Sequence, residues 1–216
     1  MPTKKTGRPA QFDRAAVLDL AEEFFAERGF EGTTVRELAA GVKCNLALIS
    51  YHFGGKDGLY DEVLFRHFGE VKKRLKDQDE DENDFQAIAD WPEFKDRDIA
   101  RFSQRLHVFA KTALASTRMQ KIICREMMSG GKSMMAAITK AEGGAVGLLQ
   151  DELSVLKRKK KVRANLDVRL TAISLVGPVV YSCVAAPLLK KIYGFDKLEG
   201  AYSRDLVLQL IRGIIP

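Results

Sequence analysis

Between Thr34 and Lys56 the chain gathers side chains suited to holding and reading a polyanion rather than to breaking bonds. Thr34 directly precedes an apolar-periodic segment, where its hydroxyl or the free amides of a helix start can bind a phosphate oxygen. Capping that helix would by itself explain the threonine. Asn45, Leu46, Ala47, Ser50, Tyr51 and His52 follow closely. Leu46 and Ala47 can touch thymine methyls, Ser50 can bond a base edge or a phosphate, and Tyr51 shares their face. The alternative for Leu46 or Leu48 is packing against an earlier helix, and Ile49 is expected in the core. Lys56 can reach a phosphate or stand solvated.

No bond-making constellation accompanies them. A phosphate-binding glycine loop, an HExxH zinc motif and a nucleophile elbow are all missing. The histidines His52, His67 and His107 lie well apart. Catalysis is therefore not expected, and no cofactor or metal is implied. Cys44, Cys124 and Cys183 are odd in number and widely spaced, which suits neither a disulfide framework nor a zinc site. Cys44 and Cys124 read as buried structural residues rather than redox sensors. No apolar run reaches the ~18 residues of a membrane span. The basic N-terminus lacks the apolar stretch of a signal peptide, so a cytoplasmic location is expected.

Charge alone does not identify a partner. The 216 residues carry a net charge of +6, which permits a nucleic acid. Yet residues 1–60 hold equal numbers of basic and acidic side chains. Positive charge is local: Lys4, Lys5, Arg8 and Arg14, then Lys72, Lys73, Arg74 and Lys76, and finally Lys157 to Lys161 with Arg163. The last run reads as a solvated loop or helix end.

The elements that must position these groups are helices. Asp13 can cap a first helix over 13–28, whose face carries Ala16, Val17, Leu20, Ala21, Phe24 and Phe25. Gly29 fits a left-handed stop. Thr34 and Glu37 have capping-box spacing, which predicts a short helix over 35–41. After a break at 42–44, Asn45 can cap another over 46–52. Asp57 can cap a longer helix bearing Leu59, Tyr60, Val63, Leu64, Phe68 and Val71. Two short helices joined by a tight turn and braced by longer ones make a helix-turn-helix. An acidic stretch over 77–90 reads as a linker, and Trp91-Pro92 as a break. Further helices are predicted over 96–115, 119–128, 132–156, 166–190 and 201–213. Gly143-Gly144 can kink or split the third of these helices, and Pro178 and Pro187 put breaks within reach of the fourth.

Residues 13–60 resemble the N-terminal domain of the TetR/AcrR family of bacterial transcription regulators. The resemblance rests on Ala21 to Ala39 (AEEFFAERGFEGTTVRELA) and on Tyr51 to Leu59 (YHFGGKDGL), about a quarter of the chain. It implies a homodimer that sets two recognition helices in successive major grooves of a palindromic operator. It also implies a small-molecule pocket in the C-terminal domain, an interface built from the last long helices, and release of DNA when the effector binds. Tyr51 and His52 match the family's phosphate-contact positions, with interhelical packing as the bland alternative. The wording from Asn45 to Phe53, with Leu175 to Pro178 and Ala186-Pro187-Leu188, is similar to the CecR-like branch. The turn departs from the family: Val42, Lys43 and Cys44 stand where Ala-Gly-Val is usual, and Ser50 where Tyr is frequent. A left-handed Lys43 would cost about 1 kcal/mol.

The expected organisation is thus all-α: a flexible basic arm over 1–12, a three-helix DNA-binding domain over 13–60, and a larger helical ligand-binding and dimerisation domain over 61–216. Phe102, Leu106, Phe109, Ile123, Met127, Val176 and Tyr181 can line a pocket, with His107, Arg125 and Glu126 as polar candidates inside or beside it; ordinary core is the alternative. Tyr202, Leu206, Leu210 and Ile214, widened by Val207 and Ile211, form a stripe broad enough to face both core and second subunit. The function expected is a DNA-binding regulator, a repressor released by its ligand. The alternatives are an activator or a ligand-independent DNA binder.

Overall fold

The structure is a computed structural model that describes residues 12–77, 95–194 and 201–216. The expected arm before Phe12, most of the acidic stretch and Trp91-Pro92 lie outside them. The architecture is all-α, with N-terminal helices in a helix-turn-helix arrangement and a larger C-terminal helical bundle.

Local caps set the first helices. Helix α1 (Arg14–Arg28) starts where the Asp13 carboxylate accepts the Ala16 amide at 3.0 Å. It ends at Gly29 with φ 76 and ψ 177, which is not the left-handed helical stop expected but an extended positive-φ geometry essentially confined to glycine. In α2 (Val35–Gly41) the Thr34 hydroxyl accepts the Glu37 amide at 3.3 Å, while the Thr34 amide donates to the Glu37 carboxylate at 3.2 Å. The Asn45 side chain accepts the Ala47 amide at 2.9 Å to start α3 (Leu46–Phe53). Between α2 and α3, Lys43 takes φ 54. Replacing it by Gly removes the left-handed penalty but adds unfolded-state entropy, so a net gain of up to about 1 kcal/mol is expected in urea unfolding. No gain would mean that the Lys43 backbone is unstrained.

Helix α4 (Lys56–Asp77) begins two residues earlier than an Asp57 cap would place it. Gly54 closes α3 in the left-handed conformation, at φ 76 and ψ 19. A Cβ on Gly58 would fall 1.8 Å from the Phe53 carbonyl oxygen. That missing side chain lets α4 start hard against the end of α3.

The bundle continues with α5 (Arg97–Ala115), α6 (Thr117–Met128), α7 (Lys132–Lys140), α8 (Gly144–Arg158), α9 (Val168–Val184), α10 (Ala186–Tyr193) and α11 (Ala201–Arg212). The helix predicted over 132–156 is split, with Gly143 at φ 83 and Gly144 at φ 58. The one predicted over 166–190 breaks at Ala185, and its two parts meet at 73°. Pro187 sits in the first turn of α10, where its missing N–H costs nothing. Pro178 stays inside α9, and the Ser182 hydroxyl donates to its carbonyl at 2.7 Å. No single helix among the described residues is long and apolar enough to cross a membrane; α9 and α10 together would be, but for their bend.

The basic run is an exposed helix end, as the sequence suggested, and several of its side chains are also paired. Lys159 pairs with Asp98 at 2.8 Å, Lys161 pairs with Asp96, and Lys157 donates to the Leu166 carbonyl at 2.6 Å. Asp96 also caps α5 through the amides of Asp98 and Ile99. The Lys161 hydrogen bond holds its carboxyl below the usual range.

Two main cores result. The larger joins Val71 and Leu75 of α4 to Phe102, Leu106, Leu149, Leu153, Leu175, Val207 and Ile211. The other holds Phe25, Leu38, Ile49, Phe53, Leu59 and Leu64 of the N-terminal helices, and it is completed by Met119 and Ile122 of α6 and Ala137 of α7. Each fully buried side chain of this size stabilises the fold by roughly 1.5–3 kcal/mol.

Candidate nucleic-acid interface and ligand cavity

Helix α3 is anchored from beneath. Ile49 is fully buried and Phe53 nearly so, which turns Leu46, Ala47, Ser50 and Tyr51 outward. Tyr51 is 83% exposed, with no core contact to account for it. Leu48 is half-buried. Four of the predicted contact residues thus share one outward surface.

The other four are more committed. The Thr34 hydroxyl donates to the Glu37 carboxylate at 2.6 Å as well as accepting its amide, and this holds the Glu37 carboxyl low. Thr34 and Asn45 are exposed, but both side chains serve as caps. His52 stacks on Phe12 with ring centroids 4.1 Å apart, and its carbonyl accepts from Arg14. Lys56 lies over the Phe30 ring at 4.2 Å and within 4.0 Å of the Glu31 carboxylate.

A cavity of about 470 Å³ lies in the C-terminal bundle, within the range of ~300–1,000 Å³ common for small-molecule sites. Helix α4 supplies His67, Phe68 and Val71; α5 supplies Phe109 and Ala113; α6 supplies Met119, Gln120, Ile123 and Met127. Met134, Ile138 and the Gly143–Val146 turn form another side, and Ile173, Val176, Val180, Cys183 and Val184 of α9 close it. No lysine, arginine, aspartate or glutamate lines it. The polar groups present are neutral or occupied. Ser116 donates to the Thr112 carbonyl at 2.9 Å, and the Gln120 amide to Ala113 and Leu114 at 2.8 and 2.9 Å. Burial pushes the Cys183 thiol up to about 11. Burial, with the Arg74 and Arg66 charges, pushes the His67 imidazole down to about 4.

Phe109, Ile123, Met127 and Val176, all expected at a pocket, stand on this wall. The others do not. Phe102 and Leu106 fill the larger core, because α5 turns them away from the cavity. His107 is half-buried elsewhere on α5, and Tyr181 is 61% exposed on the outside of α9. Glu126 is buried beside the helix-turn-helix core, accepting the Tyr60 hydroxyl at 3.1 Å and the Met134 amide at 3.1 Å. Burial and that carboxylate push the Tyr60 phenol well above its ordinary range, so it remains a donor. His67, Gln120 and Cys183 were not anticipated as wall residues. His67 sits between the apolar positions of α4, and only the fold shows that this flank meets empty space.

Residues 17–63 match the N-terminal domain of the bacterial regulatory proteins of the tetR family. The HTH-type transcriptional repressor Rv3405c of Mycobacterium tuberculosis is 46% identical over 61 residues, 28% of this chain and 32% of that protein. The probable HTH-type transcriptional regulator YttP of Bacillus subtilis is 37% identical over 60 residues, 28% of this chain and 29% of the relative. The matched segment thus spans about a third of such relatives' length. The fold is shared far more widely. The structure of the transcriptional regulator FadR from Bacillus subtilis, solved with stearoyl-CoA, superposes with a TM-score of 0.72 at 16% identity, over 94% of this chain and 100% of that one. The ketosteroid regulator KstR2 of Mycobacterium tuberculosis gives 0.58 at 18% identity, over 96% of this chain and 98% of that one. The tetR-family match thus covers residues 17–63, and the all-helical fold that carries them is the one shared with these solved structures.

Proposed function

We propose that this protein is a cytoplasmic, homodimeric transcription regulator that binds a palindromic operator and is released from it by a small molecule with a large apolar part. The observation that carries the DNA reading is the outward face of α3. Leu46, Ala47, Ser50 and Tyr51 offer methyl contact, a hydroxyl and a phenol on a helix fixed by Ile49 and Phe53. The relative most similar over this segment among those above is a repressor, which favours repression. Thr34 and Asn45 would act through the helix starts they cap, and His52 and Lys56 as flanking phosphate contacts.

A second copy is supported by large apolar side chains left exposed on α9 and α10: Leu170, Ile173, Tyr181, Val184, Leu188 and Ile192. The last helix, expected to face both the core and a second subunit, buries Val207 and Ile211 in the core and leaves Tyr202, Leu206 and Leu210 half-buried. Paired recognition helices would sit about 34 Å apart to meet successive grooves. Helix α4 is the lever: Leu59 and Tyr60 belong to the helix-turn-helix core, while His67, Phe68 and Val71 touch the cavity. A ligand that fits one α4 orientation better shifts the population toward it. The relatives and structures named above lend no support to the CecR-like branch, so the effector is argued from the cavity alone.

Tyr51→Ala should weaken operator binding by about 1–3 kcal/mol, roughly tenfold to a hundredfold. Lys56→Ala should weaken it less and more evenly across sequences. Binding isotherms on an operator selected from the source genome, with urea midpoints as a control, test both. Unchanged affinity in both variants would remove α3 and its flank from the interface.

A further inference from the structure

We infer that the effector is an anionic amphiphile, its apolar chain in the cavity and its head group on a basic vestibule formed by Lys121, Arg125 and Lys190, and that Arg125 passes its arrival to α1. This rests on the reading of the cavity as the effector site.

A second recess, of about 570 Å³ and open to solvent, lies between α6 and α10. Gln120, Cys183 and Val184 belong to the walls of both recesses, so the uncharged cavity and this vestibule meet at three side chains. Their chemistry is opposite. Among the described residues the cavity wall carries no charged side chain, whereas the vestibule presents Lys121, Arg125 and Lys190 and no carboxylate. Lys121 and Arg125 are one turn apart on α6, so two positive charges share one face of that helix. A neutral ligand would gain nothing from that arrangement, and a cationic one would be repelled. A molecule with a long apolar part and an anionic end matches both halves at once.

Arg125 has a competing engagement. Its guanidinium donates to the carbonyls of Phe25 at 2.9 Å, which also accepts the Gly29 amide, and of Ala26 at 2.7 Å, both in the last turn of α1. An anionic head group offers the same donors charge-assisted bonds, which are stronger than those to neutral carbonyls. The two partners compete for one guanidinium. When the head group takes it, the end of α1, the helix that walls α2 and α3, loses these polar ties to α6, while the apolar contacts with Met119 and Ile122 and the Arg118–Glu23 pair remain. By linkage, operator DNA must then weaken the amphiphile by the same factor.

Calorimetric titration of the full chain with dodecyl phosphate and with dodecanol tests this. Dodecyl phosphate should bind about tenfold more tightly. The double variant Lys121→Ala/Lys190→Ala should abolish that preference while leaving dodecanol affinity unchanged. Arg125→Lys keeps the charge but not the paired carbonyl bonds, so it should retain dodecyl phosphate within about threefold yet no longer transmit release to operator DNA. Equal affinity for the two probes, a preference that survives in the double variant, or undiminished release in Arg125→Lys would overturn the inference. Binding of neither probe would overturn the cavity reading with it, while operator affinity without probe stands as the separate test of DNA binding.

Discussion

Phe25→Ala should destabilise the protein by about 3–5 kcal/mol, the range for deleting a buried aromatic ring. Phe25 is 1% exposed and stands at the centre of an aromatic group. Its ring meets Tyr60 edge-on at 4.8 Å and Phe30 at 6.1 Å. Such pairs add about 0.5–1.5 kcal/mol beyond their burial. Removing the ring also leaves a void beneath Tyr60, whose hydroxyl must still reach Glu126 at 3.1 Å. Against a total stability of about 5–15 kcal/mol this is a large fraction. Urea unfolding followed by circular dichroism measures it. A loss under about 2 kcal/mol would show that the neighbouring side chains collapse into the space.

The second large effect is a pH dependence. His67 titrates near 4 in the folded protein because burial, then Arg74 and Arg66, disfavour its charged form, against an ordinary value of 6.5. The unfolded chain therefore binds a proton that the folded chain refuses between those two values. Stability is greatest above pH 6.5 and falls as the pH drops toward 4. A shift of this size corresponds to roughly 2–4 kcal/mol across that window. His67→Leu should flatten this part of the profile and leave the acid limb due to carboxylates. An identical slope in the variant would place the effect on other groups.

Much of the helix-turn-helix was legible in the sequence because its punctuation is local. Asp13, Thr34 with Glu37, and Asn45 each satisfy amides only two or three residues away, so type and spacing suffice to place three helix starts. Lys43 was marked as a position of positive φ by comparison with a glycine in the resembling sequences, and its φ is 54. The C-terminal half was legible as helices but less so as breaks. Whether Gly143-Gly144 or Pro178 interrupts a helix depends on what packs around it, and the outcomes differ: the glycines divide α7 from α8, and Pro178 is absorbed in α9.

The cavity was least legible. Phe102, Leu106 and Phe109 belong to the same apolar stripe of α5, yet of the three Phe109 alone borders this cavity. Periodicity reports which face is dry; it does not report where the interior fails to fill. Glu126 was misread for a related reason. A lone carboxylate among methionines suggests a polar ligand contact, but its partners, Tyr60 and the Met134 amide, are 66 and 8 residues away in the chain.

The core beneath the recognition helix has one further consequence. Met119, Ile122 and Ala137 close that core from the other half of the chain. DNA-reading heads of this kind are often thought of as interchangeable parts, cut at a convenient boundary and grafted onto another sensor. Here a cut after residue 60 would bare Phe25 and Leu64's neighbours to water and strand the guanidinium-bound end of α1. The transferable unit is therefore not a continuous stretch of sequence. A working hybrid must carry the α6 and α7 surface with the head, because three apolar side chains, of which Met119 also borders the cavity, close its core from outside the N-terminal segment.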